Sequence, residues 1–275
     1  MAGSKPPSPW PLVGYFALAY IVSWAAIVTV VGPAGLSGAV PPDRSRFVPV
    51  LFAQLAGPVL AGLGLVGYTR GTDGLRVLWR RQRRVHLEAR WYVLGLLTAP
   101  VALLVVGGAL WSVSPTFAPA IVTADDRLAI LALAVGGGLF VAFFEELGWT
   151  GYALPTLRSR HRLLVAGVVL GLLWGAWHAL PDYWGNATAY AGDWPLRIGL
   201  WIVALTAYRV LIAWLYEHTE SLFLAQLAHA SFVASQAVME PTGLQPGDYL
   251  LWYGLFAVAL WVVIGVIWAR RAGRG

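Results

Sequence analysis

Long stretches without a charged residue constrain the fold of this chain more than any other feature. Residues 128–144 form one such stretch, and comparable apolar runs of roughly 17 to 25 residues recur along the sequence. A helix needs this length to cross a bilayer, whereas a membrane β-barrel shows short alternation of apolar and polar residues. Hydrophobic residues make up 59% of the chain and charged residues 12%, too little polar surface for a soluble globule. We therefore predict an all-α, polytopic helical membrane protein.

The apolar runs predict about eight transmembrane helices in a single membrane domain over residues 1–275. The predicted spans are 10–31, 47–68, 91–111, 128–147, 163–180, 196–216, 222–239 and 249–268. The first run is too long for the core of a signal peptide, so we expect it to remain as a helix. The sequence has no cysteine, which excludes disulfides and thiolate metal sites.

Basic residues are distributed unevenly between the loops that this arrangement predicts. If both termini are cytoplasmic, the loops on the outside contain only Arg44, Arg46, Arg127 and Arg197. The inside set is Lys5, Arg70, Arg76, Arg80, Arg81, Arg83, Arg84, Arg90, Arg158, Arg160, Arg162, Arg270, Arg271 and Arg274. The positive-inside rule therefore favours eight spans in the cell membrane with cytoplasmic termini. Because this signal explains the net charge of +6, we expect no nucleic-acid partner; for the segment 70–90, contact with anionic lipid is an alternative role.

Three ionisable side chains fall at similar depth in the predicted spans. An ionised group in hydrocarbon costs at least a few kcal/mol, so it normally faces a protein interior or a wet cavity and marks function. At 1.5 Å per residue, Glu145, His178 and His229 lie roughly 20, 24 and 14 Å from the cytoplasmic surface. We therefore expect these three residues to surround one cavity in the bilayer.

Helix periodicity indicates which faces meet. A stripe of small residues precedes His178 on one face of the fifth span, and it consists of Gly167, Gly171 and Gly175. Small residues allow helices to approach closely, so His178 is expected to point at a packed neighbour. Gln226 shares a face with His229 and is predicted to support it. The tryptophans are interpreted mainly as interface and packing residues.

Glu146 needs a partner of its own. Adjacent helix residues project about 100° apart, so Glu146 cannot share the direction of Glu145. Arg209 is the only cation in the predicted membrane interior. We predict that Arg209 pairs with Glu146, directly or through water, and holds the fourth span in register with the sixth.

Three motifs occur in order in the second half of the chain. They are EELGWTGYALP at 145–155, WGAWHALP at 174–181, and WLYEHT at 214–219 followed by HASF at 229–232. Together they resemble the CPBP intramembrane protease family, which includes the CAAX prenyl proteases and the bacterial ABI or bacteriocin-processing proteins. The resemblance covers about residues 128–235, within a predicted catalytic core of 128–239.

The resemblance implies a role for each polar residue. In the family, the first glutamate and the second-motif histidine activate a water, and the third-motif histidine stabilises the oxyanion together with an asparagine. These roles fall on Glu145, His178 and His229. Two positions depart from the pattern. The usual arginine five residues after the first glutamate is Thr150 here, and the asparagine position is Val233, which cannot donate a hydrogen bond.

The same three side chains are compatible with more than one chemistry. Peptide hydrolysis needs a base for water, a proton carrier and donors for the oxyanion, and one glutamate with two histidines supplies all of them. Glu145, His178 and His229 are also a catalytic zinc ligand set, and the sequence gives no preference between zinc and a metal-free mechanism. We expect an intramembrane endopeptidase acting on a peptide or membrane-protein substrate. The alternatives are a catalytically weakened scaffold or bacteriocin-immunity protein, and a proton-coupled transporter.

Overall fold

The computed structural model describes residues 10–38 and 42–272, and these ranges contain helices and no β-strand. In chain order the helices are α1 (Trp10–Leu36), α2 (Phe47–Gln82), α3 (Ala89–Val113), α4 (Ala120–Thr123), α5 (Arg127–Gly148), α6 (Leu154–Arg158), α7 (Leu163–Trp177), α8 (Ala179–Tyr190), α9 (Trp194–Thr219), α10 (Leu222–Met239) and α11 (Pro246–Ala272). The predicted all-α class is confirmed. Lys5 and Arg274, which entered the charge argument, lie outside the described residues.

Seven of these helices are long and apolar enough to cross a membrane, so the chain is a multi-pass membrane protein. The bent pair α7 and α8 provides an eighth crossing if the two helices form one span. This agrees with the predicted number of about eight spans.

The fifth predicted span, 163–180, is not one continuous helix, and that prediction was wrong. Helix α7 ends at Trp177, α8 begins at Ala179, and the two are bent by 52°. The physical cause is Pro181, which has no N–H to donate to the carbonyl four residues earlier. That carbonyl, on Trp177, instead accepts hydrogen bonds from Trp24 Nε1 at 3.0 Å and Gln54 Nε2 at 3.3 Å. The break is therefore supported from α1 and α2.

Helix α2 extends well beyond the predicted end of the second span at residue 68. It kinks at Gly71, whose φ of +58° is accessible to a residue without Cβ, and continues as a helical arm to Gln82. Part of the predicted cytoplasmic loop 70–90 is thus helical, because the charges that end an apolar run do not end a helix. The arm turns back onto the bundle, where Gln82 Nε2 donates to Gln226 Oε1 at 2.6 Å.

The fourth span, predicted over 128–147, continues past its two glutamates to Arg158. A π-helical turn, Trp149–Ala153, joins α5 to α6. Next to this turn α5 and α2 approach closely at Gly148. The approach requires glycine, because a Cβ at this position would lie 2.2 Å from the carbonyl oxygen of Pro58. Such π turns often occur at functional sites, and this one directly follows the glutamates.

An ion pair anchors α8 at the end of the bundle away from the α2 arm. Asp182 Oδ2 is 3.0 Å from Arg197 Nη2 of α9, and both side chains are largely buried. The Arg197 guanidinium also lies 4.5 Å from the ring centre of Tyr190 and 4.0 Å from that of Tyr249 of α11. Arg197 therefore connects α8 to α9 and α11.

The glycine stripe of α7 packs against α9, which confirms the predicted contact face. Cβ atoms at Gly167, Gly171 and Gly175 would lie 3.1, 2.6 and 3.1 Å from backbone Cα atoms of α9. The Cα atom opposite Gly171 belongs to Thr206. No larger residue fits at this crossing without separating the helices.

We expect Gly171→Ala to lower the free energy of unfolding by about 1 to 3 kcal/mol, since the added methyl group overpacks the contact with Thr206. Gly136→Ala on α5 is the matched control, because a Cβ at that position meets nothing within 4 Å. Equilibrium unfolding of both variants in detergent measures the difference. Equal stability of the two variants would contradict the close crossing.

Candidate active site

The two glutamates occupy the last turn of α5 and are both buried, with side-chain exposures of 2% for Glu145 and 0% for Glu146. They project in different directions, as adjacent helical positions require. Glu145 faces α7 and the break before α8, whereas Glu146 faces α9 and α10. The two carboxylates therefore contact two separate sets of side chains.

Glu145 lies between Trp174 and His178. Its Oε2 atom accepts a hydrogen bond from Trp174 Nε1 at 2.6 Å. Its Oε1 atom is 4.0 Å from His178 Nε2, which is too long for a direct hydrogen bond. One carboxylate oxygen is thus fixed, and the other faces the imidazole across a short gap.

The α7–α8 break determines which nitrogen of His178 faces Glu145. His178 Nδ1 lies 2.8 Å from the carbonyl oxygen of Trp174. A carbonyl can only accept, so Nδ1 must carry hydrogen, and the neutral ring then has its lone pair on Nε2. That lone pair is on the side of Glu145.

Glu146 is the centre of a buried charged network. Its Oε2 atom is 2.8 Å from Arg209 Nη1, and its Oε1 atom is 2.8 Å from His229 Nδ1. Thr150 donates its hydroxyl to Oε2 and lies 3.4 Å from Arg209 Nη1. The pairing of Arg209 with Glu146 that the sequence predicted is present. The direct carboxylate partner of His229 is Glu146, a contact that the sequence did not reveal.

Trp174 connects the two halves of the site, and sequence reasoning missed it. Besides its hydrogen bond to Glu145, its ring centre lies 4.0 Å from the Arg209 guanidinium. Arg209 Nε and Nη2 make no hydrogen bond within residues 10–38 and 42–272, so the ring face is a main contact of this cation. Trp174 also makes perpendicular ring contacts with His178 and His229. The spacing of four residues between Trp174 and His178 was the available signal.

One cavity of about 330 Å³ brings together the three residues expected to be catalytic. Its polar side chains include Glu145, His178 and His229, and the rest of the wall is mainly apolar. Helix α2 contributes Gln54, which the sequence did not single out. The remaining lining residues are Phe47, Val50, Leu51, Val141, Trp174, Pro181, Trp201, Leu205, Phe232, Val233 and Gln236.

Gln226 does not line this cavity, although it shares a helix with His229. Its Nε2 atom donates to the carbonyl oxygen of Phe143 at 3.2 Å, two residues before Glu145. Gln82 Nε2, on the α2 arm, donates a hydrogen bond to Gln226 Oε1. Gln226 therefore braces the backbone of α5 next to the glutamates.

The part of the chain that carries this site resembles known proteins. Residues 127–235 match the family model described as type II CAAX prenyl endopeptidase, Rce1-like. This segment is similar to the Rce1-like family. The match confirms the family resemblance read from the three motifs.

A curated relative agrees with the Rce1-like assignment. A protein named CAAX prenyl protease 2, from Methanococcus maripaludis, is 30% identical to this chain over 107 residues. The aligned region covers 38% of this chain and 40% of the relative, so the likeness spans well under half of either protein. The Rce1-like segment contains both glutamates and all their polar partners described above, whereas Gln54 and the α2 arm lie outside it.

The site in this segment has three potential zinc ligands, Glu145, His178 and His229. In the part of the chain that the structure describes, no three His, Asp or Glu side chains form a group that could hold a metal ion. The bonds of Glu145 Oε2 to Trp174 and of His229 Nδ1 to Glu146 leave Glu145 Oε1 and His229 Nε2 without a described hydrogen bond. As they are placed, the three side chains do not form a preformed zinc site, and zinc stays a prediction of the sequence alone.

A double-mutant cycle tests the charged centre of the Rce1-like segment. We expect Arg209→Met and Glu146→Leu each to cost about 3 to 5 kcal/mol of unfolding free energy, because each leaves an unpaired charge in the interior. The double variant should lose less than the sum of the two. Unfolding in detergent measures all three variants.

The control cycle uses the exposed pair Arg76 and Asp73, whose side chains are 76% and 84% exposed. Arg76→Met with Asp73→Asn should show coupling below about 1 kcal/mol. Additive losses for Arg209→Met and Glu146→Leu would show that the buried pair does not stabilise the fold.

Proposed function

We propose that this chain is an intramembrane endopeptidase of the CAAX type, which hydrolyses a peptide bond with a water activated by Glu145 and His178. The observation that carries the proposal is the 4.0 Å gap between Glu145 Oε1 and His178 Nε2 on the wall of the shared cavity. One water bonded to both atoms at about 2.8 Å bridges a gap of this size. The family of residues 127–235 supports the same activity.

The chemistry follows from the groups on either side of the gap. Glu145 accepts a proton from the water, and the resulting hydroxide forms a bond to the carbonyl carbon of the substrate. The carbonyl electron pair moves to its oxygen, giving a tetrahedral intermediate. Glu145 then returns the proton to the amide nitrogen as the C–N bond breaks. Neutral His178 accepts a hydrogen bond from the water at Nε2 and fixes the direction of attack.

His229 is proposed to stabilise the oxyanion. Its Nδ1–H donates to Glu146, so the Nε2 atom can donate only when the ring is an imidazolium. Arg209 and Thr150 keep the Glu146 carboxylate that bonds His229 in place. Val233 cannot add a second donor, so His229 has to act without the asparagine of the family pattern.

The apolar wall of the cavity and the name of the relative suggest the first substrate to test. Because that relative is named CAAX prenyl protease 2, a prenylated CAAX peptide is the natural choice. We also propose that the basic end of the bundle, with Arg84 and Arg158, faces the cytoplasm of a cell membrane. Cleavage would then act on substrates presented from that side.

A catalytically weakened membrane scaffold is the second candidate. Val233 favours it, because this residue lines the cavity where the family pattern supplies a hydrogen-bond donor. A folded wild-type protein that cleaves none of a panel of prenylated and unmodified peptides would support this reading over the peptidase.

We expect Glu145→Gln to abolish peptide cleavage while the melting temperature stays close to that of the wild type. The amide keeps the shape of the side chain and loses the base. Purified protein with a quenched prenylated CAAX peptide provides the assay. Asp73→Asn is the control, because Asp73 is exposed on the α2 arm and does not line the cavity. Undiminished cleavage by Glu145→Gln would remove Glu145 from the mechanism.

Trp174→Phe tests the hydrogen bond that fixes Glu145. The change keeps a ring next to Arg209 and removes the Nε1 donor, worth about 1.5 to 3 kcal/mol for a charged acceptor. We expect kcat to fall about tenfold or more. Trp177→Phe removes the same atoms, and Trp177 Nε1 has no hydrogen-bond partner among the described residues. Equal losses of kcat in the two variants would mean that ring volume, and not the hydrogen bond, matters.

A further inference from the structure

A cleft between α3 and α11 lies apart from the catalytic cavity and shares no lining residue with it. It consists of two adjoining hollows of about 450 and 470 Å³ that meet at Leu94. The first is the more polar of the two, and its lining includes the basic side chains Arg90 and Arg270. The second is almost wholly apolar, with Val101 and Val262 in its walls. The cleft is therefore basic at one end and apolar along the rest, which matches the head and tail of an amphiphilic molecule.

The dimensions of the cleft match one leaflet of a bilayer. On α3 its wall runs from Arg90 to Val105, which is about 22 Å of helix. On α11 it runs from Ala259 to Arg270, or about 16 Å. Half of a typical hydrocarbon core is about 15 Å. A single acyl chain can thus lie along the apolar part while its polar head remains at the basic end.

The basic end carries the groups that recognise a phosphate. The Arg90 guanidinium lies 5.1 Å from the ring centre of Trp91, and Arg270 is exposed on the last turn of α11. Arginine binds phosphate oxygens in a bidentate manner. Arg90 also pairs with Glu88 at 2.9 Å, but both side chains are about two-thirds exposed, so an anion can displace this weak contact.

Aromatic rings complete the basic end at the level of the lipid headgroups. Trp91, Trp214 and His218 form a mutually contacting cluster, with ring centres 5.0 to 5.4 Å apart. Tryptophan is favoured where hydrocarbon meets headgroups. The cluster therefore places the boundary between head and tail at Leu94, where the two hollows meet.

We propose that this cleft binds one anionic phospholipid, with its phosphate at Arg90 and Arg270 and one acyl chain along the valines of α3 and α11. The charge of the basic end selects an anionic head over a zwitterionic one. The bound lipid bridges α3 and α11 and stabilises their contact. This inference does not depend on peptidase activity.

The full chain in detergent, titrated with phosphatidylglycerol, tests the site by native mass spectrometry and by thermal melting. We expect one retained phosphatidylglycerol and a higher melting temperature, and neither effect from phosphatidylcholine with the same acyl chains. The double variant Arg90→Gln and Arg270→Gln should bind phosphatidylglycerol about tenfold or more weakly. Its melting temperature without added lipid should match that of the wild type, because both arginines are exposed.

The control variant is Arg76→Gln with Arg80→Gln, which removes the same charge from the α2 arm. It should retain phosphatidylglycerol like the wild type. Equal binding of phosphatidylcholine, or an equal loss of binding in the control variant, would overturn the proposal. Equal stabilisation by inorganic phosphate alone would also overturn it, since the acyl chain would then contribute nothing.

Discussion

The burial of Glu146 is the constraint on which the rest of the site depends. A carboxylate without exposure to solvent is tolerated only with full compensation, and Arg209, His229 and Thr150 supply it from three directions. These contacts tie α5 to α9 and α10. Because Arg209 also lies against Trp174, and Trp174 donates to Glu145, the position of one glutamate is linked to that of the other. The compensation of Glu146 thus organises the residues proposed to act on substrate.

The second element of the site is an interruption in a helix. Pro181 removes a backbone donor, and the carbonyl of Trp177 is taken over by side chains of α1 and α2. His178 lies at that interruption, where its ring bonds to the carbonyl of Trp174 and directs Nε2 to Glu145. The imidazole is therefore oriented by local backbone geometry, and it does not need a second carboxylate to fix its tautomer.

Sequence reasoning predicted the parts of this structure that depend on charge and periodicity. Uncharged runs identified the spans, and the scarcity of intramembrane cations singled out Arg209 for Glu146. The four-residue glycine spacing identified the face of α7 that meets α9. The features that the sequence did not predict depend on contacts that form only in the folded structure. Trp174 is one of 15 tryptophans, and nothing in its residue type separates a hydrogen-bond donor to a carboxylate from a packing residue. The α2 arm was missed because hydropathy locates the membrane boundary and not the end of a helix.

The position of Arg209 makes the charge balance of Glu146 depend on helix packing. The family pattern places its arginine on the same span as the glutamates, whereas this chain has Thr150 there and carries the cation on α9. A cation on the same span would follow its glutamate through any movement of that span, but Arg209 stays with α9. A shift of α5 relative to α9 would therefore separate two buried charges, so the two helices are held together at a fixed height.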